Sequence, residues 1–206
     1  MADRLFGTLS QTDSGSGFTA INAQINRIMS LMGSNMPVKV LSVSATGLEP
    51  VGFVDVQILV HQVDGRGNPT ERGILHNVPY IRIQGGTRAI ICDPAAGDIG
   101  FIMIAGRDIS NVKANRAAAV PGSFRVNDWA DAVYIGGLLN AAPEEYIGWI
   151  DGNIHVKTAG QFIVDAASMQ VNCGITATGD VKAGNISLES HTHTENGKGS
   201  QTSAPE

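Results

Sequence analysis

Charged side chains are scarce in this 206-residue sequence. Lys, Arg, Asp and Glu together make up 16% of the residues, against about 25% in an ordinary soluble domain. The formal net charge is −5, which argues against the basic surface that nucleic-acid binding uses. Aromatic residues are also few, at 5%, although 43% of the residues are hydrophobic. The apolar content is therefore mostly small and aliphatic, and such a chain is expected to bury part of its surface against copies of itself.

Long apolar runs and a cysteine framework are missing as well. The longest apolar stretch, 99–105, is interrupted by Gly100 and is far shorter than the ~20 residues of a membrane span. The first residues lack the apolar core of a secretory signal. Two cysteines, Cys92 and Cys173, cannot form a disulfide framework. Their apolar surroundings predict buried thiols in a protein made in a reducing cytosol.

The N-terminal segment, 1–36, contains one amphipathic helix. Apolar residues recur there at spacings of 3, 4, 3 and 4, which is a helical stripe with a heptad period: Phe18, Ile21, Ile25, Ile28 and Met32. Gly33 is a candidate C-cap and Pro37 follows it. Two interpretations remain open: the helix packs on its own domain, or it is a short self-associating or docking helix.

In the next segment, 37–109, the apolar period changes to two. Short strands are predicted near 38–43, 53–60, 74–83, 89–92 and 99–105, with turn clusters such as Asp64–Pro69 between them. Five short strands in this length predict a small antiparallel barrel, and the five-stranded OB barrel is the economical choice. The segment 110–148 is interpreted as a connector with a short helix near its start.

The segment 149–190 is interpreted as a ribbon of very short strands separated by glycines. Each piece offers only one or two apolar side chains to a core, and one copy of such a ribbon cannot enclose them. The inward candidates are Ile154, Val156, Phe162, Val164, Met169, Val171, Ile175, Val181, Ile186 and Leu188. Either one chain forms a solenoid, or several identical chains wind together around a shared core. The second is favoured, since a self-standing solenoid needs more residues.

A histidine pair follows the ribbon in the sequence Ser190-His191-Thr192-His193. In an extended strand, residues i and i+2 point to the same side, so both imidazoles would face one way. Three chains on a threefold axis would supply six imidazoles, which suits octahedral coordination. Six nitrogen ligands fit iron or nickel better than zinc, which prefers four. The last segment, 191–206, is thus a metal-binding apex followed by a tail, and residues 195–206 are either a disordered tail or a cap over the metal.

No enzyme motif stands out in the sequence. The metalloprotease, nucleophile-elbow and P-loop patterns are absent. Glu144 and Glu145 are interpreted as solvated surface rather than as an acid pair. His61, His76 and His155 have no partner spacing, and ordinary surface or interface positions are predicted for them.

The order of these parts resembles the central baseplate spike of contractile-tailed bacteriophages. The barrel segments VDVQILV and IICDPAAGDIGFIMIAGRDI are similar to the N-terminal OB-fold of such spikes, and GDVKAGNISLESHTH is similar to their tip. The likeness covers most of 37–193, although the ribbon is short and no lysozyme domain fits between barrel and ribbon. It implies a mainly β protein with an N-terminal helix, an OB-fold barrel and an intertwined trimeric β-helix spike with a metal-binding tip.

The resemblance also implies a function. His191 and His193 of three chains would bind one iron ion, with nickel or zinc as less favoured choices. The homotrimer would sit on a baseplate hub protein at the end of the tail tube and pierce the host outer membrane without catalysis. The protein would be made in the host cytoplasm and reside in the virion. The alternatives are a spike of a bacteriocin particle or type VI secretion system, an OB-type single-strand binder, and a metal-dependent hydrolase that uses the histidine pair.

Overall fold

A computed structural model of the chain describes residues 15–193 and Gly197. The remaining residues of the predicted N-terminal segment and tail lie outside the described part. The structure is mainly β with an N-terminal helix and antiparallel sheets, which confirms the predicted class at that level. The chain divides into two compact units, Met1–Pro143 and Glu144–Glu206, called here the barrel unit and the ribbon unit. No helix among the described residues is both long and apolar enough to cross a membrane.

Helix α1 spans Gly17–Leu31 and begins with a capping box. The Ser16 hydroxyl accepts a hydrogen bond from the Thr19 N–H, and the Thr19 hydroxyl accepts one from the Ser16 N–H. These bonds satisfy N–H groups that the first helical turn leaves without partners. Gly33 lies one residue beyond the C-cap, Met32, and its N–H donates to the Asn127 carbonyl at 2.6 Å. A side chain there would lie 2.7 Å from that carbonyl oxygen, so the close approach requires glycine.

Besides α1, the described part of the barrel unit contains nine strands and two short helices. The strands are β1 (Met36–Ser44), β2 (Phe53–Ile58), β3 (Gln62–Val63), β4 (Pro69–Thr70), β5 (Ile74–Pro79), β6 (Ile83–Gly85), β7 (Arg88–Ile90), β8 (Ile99–Ile104) and β9 (Ala132–Ile135). Helix α2 spans Ser110–Asn115, and a 3₁₀ turn spans Trp129–Asp131. The predicted short helix after residue 110 is therefore confirmed.

Five of these strands form one sheet in the order β5-β2-β1-β8-β9. All neighbours in it are antiparallel, and the register of β1 on β2 shifts between Val40 and Ser42. The two outer strands then meet, because Tyr80 and Tyr134 form a parallel bridge and the Ile81 N–H donates to the Tyr134 carbonyl at 3.1 Å. The sheet thus closes on itself and leaves no long free edge.

The core of the barrel unit consists of the inward-facing residues of these strands. Along β2, alternate residues are buried, as a period of two requires. The buried cluster comprises Val38, Val40, Val54, Val56, Ile58, Val78, Tyr80, Ile102, Ala132 and Tyr134. Gly100 lies directly against the Tyr134 ring and the Ile135 carbonyl, which leaves no room for a side chain.

Two expectations about this unit are corrected. The fifth strand of the sheet is β9, which lies within the predicted connector, whereas the predicted strand 89–92 belongs to the separate hairpin β6–β7. Closing the sheet requires a strand between β5 and β8, and the hairpin does not occupy that place. Cys92 follows this hairpin and is exposed, as is Cys173, so the prediction of buried thiols is wrong for both in the single chain.

The ribbon unit contains two hairpins. Strands β10 (Tyr146–Ile150) and β11 (Asn153–Lys157) form the first, and β12 (Lys182–Ala183) and β13 (Ile186–Ser187) form the second. The first hairpin turns at Asp151 and Gly152, both with positive φ, which is the geometry of a two-residue hairpin turn. The predicted strand pieces at 161–164, 168–172 and 174–178 carry no strand in the single chain. Their backbone has no neighbouring strand to pair with inside the unit.

Candidate metal centre and apolar ribbon

The first hairpin of the ribbon unit has one face made of apolar side chains. Trp149 lies opposite Ile154, and Ile147 lies opposite Val156. Residues directly opposite in an antiparallel pair point to the same face. All four side chains are exposed in the single chain: Ile147 by 72%, Trp149 by 78%, Ile154 by 65% and Val156 by 50%. The hairpin therefore presents an apolar surface that nothing in the described chain covers.

The apolar surface continues along the unit. Among residues 144–193 no residue is buried, although apolar side chains recur throughout this stretch. The predicted inward candidates are all exposed here: Ile154, Val156, Phe162, Val164, Met169, Val171, Ile175, Val181, Ile186 and Leu188. Extended apolar patches of this kind mark interaction surfaces in water-exposed proteins. They match the expectation that one ribbon alone cannot enclose a core.

The end of the ribbon is fixed by a local hydrogen-bond network around Asp180. This carboxylate accepts from the Ser187 hydroxyl at 2.9 Å and from the Glu189 N–H at 3.2 Å. The Leu188 N–H donates to the Val181 carbonyl, and the Ser190 N–H donates to the Ser187 hydroxyl. The chain therefore folds back immediately before the histidine pair, which gives the pair a defined base.

The structure brings His191 and His193 together, as the spacing predicts. Their ring centroids lie 5.1 Å apart, with the ring planes at 81°. Nδ1 of His191 lies 2.8 Å from the Ser187 carbonyl oxygen. A carbonyl oxygen only accepts, so this hydrogen bond requires a proton on Nδ1, and the neutral tautomer that forms it has its lone pair on Nε2. Metal-bound histidines are held in this way, with the second ring nitrogen donating to a carbonyl or carboxylate.

The donor set in one chain is a pair of imidazoles. No group of three or more His, Cys, Asp or Glu side chains suited to a metal ion occurs among residues 15–193 and Gly197. Two imidazoles with an oriented Nε2 fit an intermediate or late transition metal but leave most of its coordination sphere to other ligands. The pair fits a metal site only if ligands come from beyond the described residues of one chain.

The other predicted surface residues lie apart from this pair. His61, His76 and His155 are all exposed, as expected. Nδ1 of His76 lies 3.1 Å from the Asp55 carboxylate, and this hydrogen bond lowers the pKa of Asp55. Glu144 and Glu145 are exposed too, and the Thr158 hydroxyl donates to the Glu145 carboxylate. These contacts are those of solvated surface groups rather than of an acid pair.

Two ionic clusters in the barrel unit escaped the sequence analysis. In one, the nearly buried Arg82 guanidinium contacts Asp93 at 2.6 Å, and the Tyr80 hydroxyl donates to the same carboxylate. Asp93 is partly desolvated, but hydrogen bonds from Arg82, Gly47 and Tyr80 outweigh that burial and lower its pKa. Arg82 and Tyr80 lie 11 and 13 residues before Asp93 along the chain, and Gly47 lies 46 residues before it, so no spacing rule pairs these residues.

The second cluster joins the segment after β8 to the 3₁₀ turn before β9. Arg125 contacts Asp108 at 3.0 Å and Asp131 at 3.1 Å. Hydrogen bonds from Ser110 and Ser123 lower the pKa of Asp108 to about 2. Both clusters hold loops on the barrel through ion pairs and hydrogen bonds. No protein-family model and no curated protein matches this chain, so its function rests on the geometry described above.

Proposed function

We propose that this protein is a structural spike of a contractile phage tail. Three chains would wind together, sit on the baseplate hub at the end of the tail tube, and pierce the host outer membrane when the sheath contracts. The observation that carries the proposal is the ribbon unit, in which apolar side chains are present throughout yet none of residues 144–193 is buried. Such a segment needs partners along its whole length.

The partners proposed are two further copies of the same chain. The apolar face of the β10–β11 hairpin and the exposed residues that follow it would each form one wall of a shared core. In that arrangement the backbone of 161–178, which forms no strand in the single chain, would find strand partners on the neighbouring chains. No chain could then leave without separating from both others, which favours slow unfolding. A spike that is loaded along its axis requires such slow unfolding.

The metal would close the end of the spike. With three chains, His191 and His193 would supply six imidazole nitrogens, a closed octahedral set suited to iron, with nickel or zinc less favoured. The Nδ1–H bond of His191 to Ser187 supports this role, because it leaves Nε2 available for the ion. The ion would tie three chain ends where fraying otherwise begins. A site without an open position is structural rather than catalytic.

The barrel unit would act as the adaptor to the hub. Its closed five-stranded sheet, with β1 paired to both β2 and β8, supports an OB-type barrel. It folds around its own core and therefore offers a rigid base for a spike. The net charge of −5 disfavours single-strand binding as its task.

The first test measures oligomeric state and metal content together. Light scattering on the full-length protein is expected to give a trimer, and elemental analysis is expected to give about one metal ion per three chains. The double variant His191→Ala/His193→Ala is expected to remain trimeric, lose the metal and fray more readily at the tip. The matched control, His61→Ala/His76→Ala, removes two exposed histidines of the barrel unit and is expected to keep the metal.

A monomer would overturn the proposal, and a metal-free trimer after mild purification would overturn the tip. A histidine-pair variant with full metal content would overturn the choice of ligands.

The second test locates the protein in particles by mass spectrometry and antibody-labelled electron microscopy. Labelling at the far end of the tail in particles with capsid proteins is expected; particles without capsids would favour a bacteriocin or secretion-system spike instead.

A further inference from the structure

Helix α1 carries an apolar stripe that the rest of the described chain leaves uncovered. Phe18 is 75% exposed, Ile21 60% and Ile28 61%, and Ile25 and Met32 are exposed as well. Ala23, on the opposite side of the helix, is buried. The stripe therefore does not pack on the barrel, which disfavours the first interpretation of the sequence and favours a self-associating or docking helix.

The stripe has the register of a coiled coil. Within the helix, these spacings place Phe18 and Ile25 at a positions of the heptad, and Ile21 and Ile28 at d positions. Met32 continues the spacing but is the extended C-cap. The second heptad has isoleucine at both a and d, Ile25 and Ile28, and this combination shifts the preference from two strands towards three or four. The flanking e and g positions of the first heptad, Asn22 and Gln24, are uncharged. Nothing at these positions opposes the approach of an identical helix.

We propose that α1 packs against α1 of two other copies as a parallel three-stranded coiled coil. This inference rests on the proposed trimer and gives it a second contact, before the barrel, in addition to the ribbon. A threefold axis makes the three helices parallel and in register, which is what knobs-into-holes packing at a and d requires. The occupant of the stripe is thus two further copies of this chain.

The length of the helix supports a tethered rather than a free assembly. Its 15 residues are near the lower limit at which an isolated helix persists in water. In a trimer joined through other parts of the chain, the three helices would share a high effective concentration and need little intrinsic affinity. The capping box at Ser16 and Thr19 further stabilises the N-terminal end of the helix.

Disulfide cross-linking of the full-length protein tests the register. In a Cys92→Ser/Cys173→Ser background, Ile28→Cys is expected to form inter-chain disulfides under mild oxidation, because core positions bring sulfurs of neighbouring helices within bonding range. In a trimer, two of the three chains can join and one stays free. Ser30→Cys, two residues further at an outward f position, is the matched control and is expected to cross-link at least tenfold more slowly. Cross-linking at Ile28→Cys should not depend on protein concentration.

Each outcome separates this inference from the proposed function. A trimer in light scattering whose Ile28→Cys and Ser30→Cys variants cross-link alike, or not at all, overturns the coiled coil and leaves the spike standing. That result would assign the stripe to a hub protein or to the segment before the helix. A monomeric protein overturns both. If Ile28→Cys fails to assemble, Ile21→Cys, one heptad earlier in the same d register, decides the question in the same assay.

Discussion

In the barrel unit, alternate residues of β2 point inward and are buried within one chain. In the ribbon unit, the same alternation along β10 and β11 produces a face of four exposed apolar side chains. Val56 is fully buried, whereas Ile154, a comparable side chain on a comparable strand, is 65% exposed. The two units differ because the barrel sheet closes on itself and covers its inner face, while no described part of the chain covers the apolar face of the first ribbon hairpin. A period of two therefore identifies an apolar face without identifying what covers it.

The barrel unit encloses an apolar core within one chain, whereas the apolar side chains of the ribbon unit stay exposed. Apart from the exposed stripe of α1, the barrel unit encloses its core and closes its five-stranded sheet within one chain. The ribbon unit satisfies only its local turns, such as Asp151-Gly152, and the hydrogen bonds around Asp180. Stability of the first unit is expected to be a property of one chain, and stability of the second a property of the assembly.

The largest expected effect comes from a buried charge in the barrel. Val56→Asp places a carboxylate where no partner or water reaches it, and is expected to destabilise the unit by at least ~4 kcal/mol. Ile154→Asp makes the same change on the exposed hairpin face. It is expected to change barrel stability by less than ~0.5 kcal/mol but to abolish the proposed trimer, because three carboxylates would enter the proposed shared core.

The two tryptophans of the chain report the two units separately. Trp129 packs against the barrel core, and Trp149 lies on the apolar face of the ribbon hairpin. In a Trp129→Phe background, the emission of Trp149 is expected to be blue-shifted and protected from iodide, and Ile154→Asp is expected to reverse both. If iodide fully quenches Trp149 in the Trp129→Phe protein without the Ile154 substitution, the apolar face of the ribbon hairpin is uncovered. That result would contradict the proposed shared core.

The sequence predicted most of the barrel and missed its closure. Strands β1, β2, β5 and β8 lie where the alternating runs predicted them, because their apolar faces are buried. The missed strand, β9, is only four residues long and follows a 3₁₀ turn, so it carries too little periodicity to be recognised. The apolar residues at 89–92 gave a stronger signal, yet they belong to a projecting hairpin. The choice between them depends on closing the sheet, which no local pattern contains.

The proximity of the two histidines could be predicted from the sequence for a different reason. Residues i and i+2 of an extended segment point to the same side, which is why the spacing predicted that the side chains of His191 and His193 lie close together. The carbonyl that orients His191 belongs to Ser187 and reaches the ring because the chain turns between them. That turn depends on the carboxylate of Asp180, seven residues before Ser187. Its contribution becomes visible only when the segment is folded.

The next largest expected effect is on the free energy of unfolding of the barrel, and it compares a glycine in tight packing with a glycine in open space. Gly100→Ala would drive a methyl group into the Tyr134 ring and the Ile135 carbonyl, and is expected to destabilise the barrel by ~3 kcal/mol. Gly73→Ala, in the same unit, meets nothing within 4 Å and is expected to be neutral or stabilising by up to ~1 kcal/mol. Urea unfolding followed by Trp129 fluorescence measures both. Equal midpoints for the two variants would contradict the tight packing of β8 on β9.

The smallest expected effect is a pH dependence confined to the barrel unit. Hydrogen bonds from Ser110 and Ser123 lower the pKa of Asp108 from 3.8 to about 2. A carboxylate whose pKa is lower in the folded state stabilises the fold above the unfolded pKa, and this stabilisation is lost as the pH falls through the folded value. The melting temperature reported by Trp129 is therefore expected to decline between pH 4 and pH 2. Asp108→Asn should flatten that decline, because the group no longer takes up a proton.

The matched control places the same change in the other unit. Asp165 is an exposed carboxylate of the ribbon, and Asp165→Asn is expected to leave the Trp129 transition unchanged at every pH. Asp55 and Asp93 also have lowered pKa values in the barrel, so the Asp108→Asn variant should keep part of the decline rather than lose it entirely. If the decline were as steep in Asp108→Asn as in the unsubstituted protein, the serine hydrogen bonds would not be the cause. If Asp165→Asn altered it, acid sensitivity would belong to the assembly, and the barrel would not be the self-sufficient unit that its closed sheet indicates.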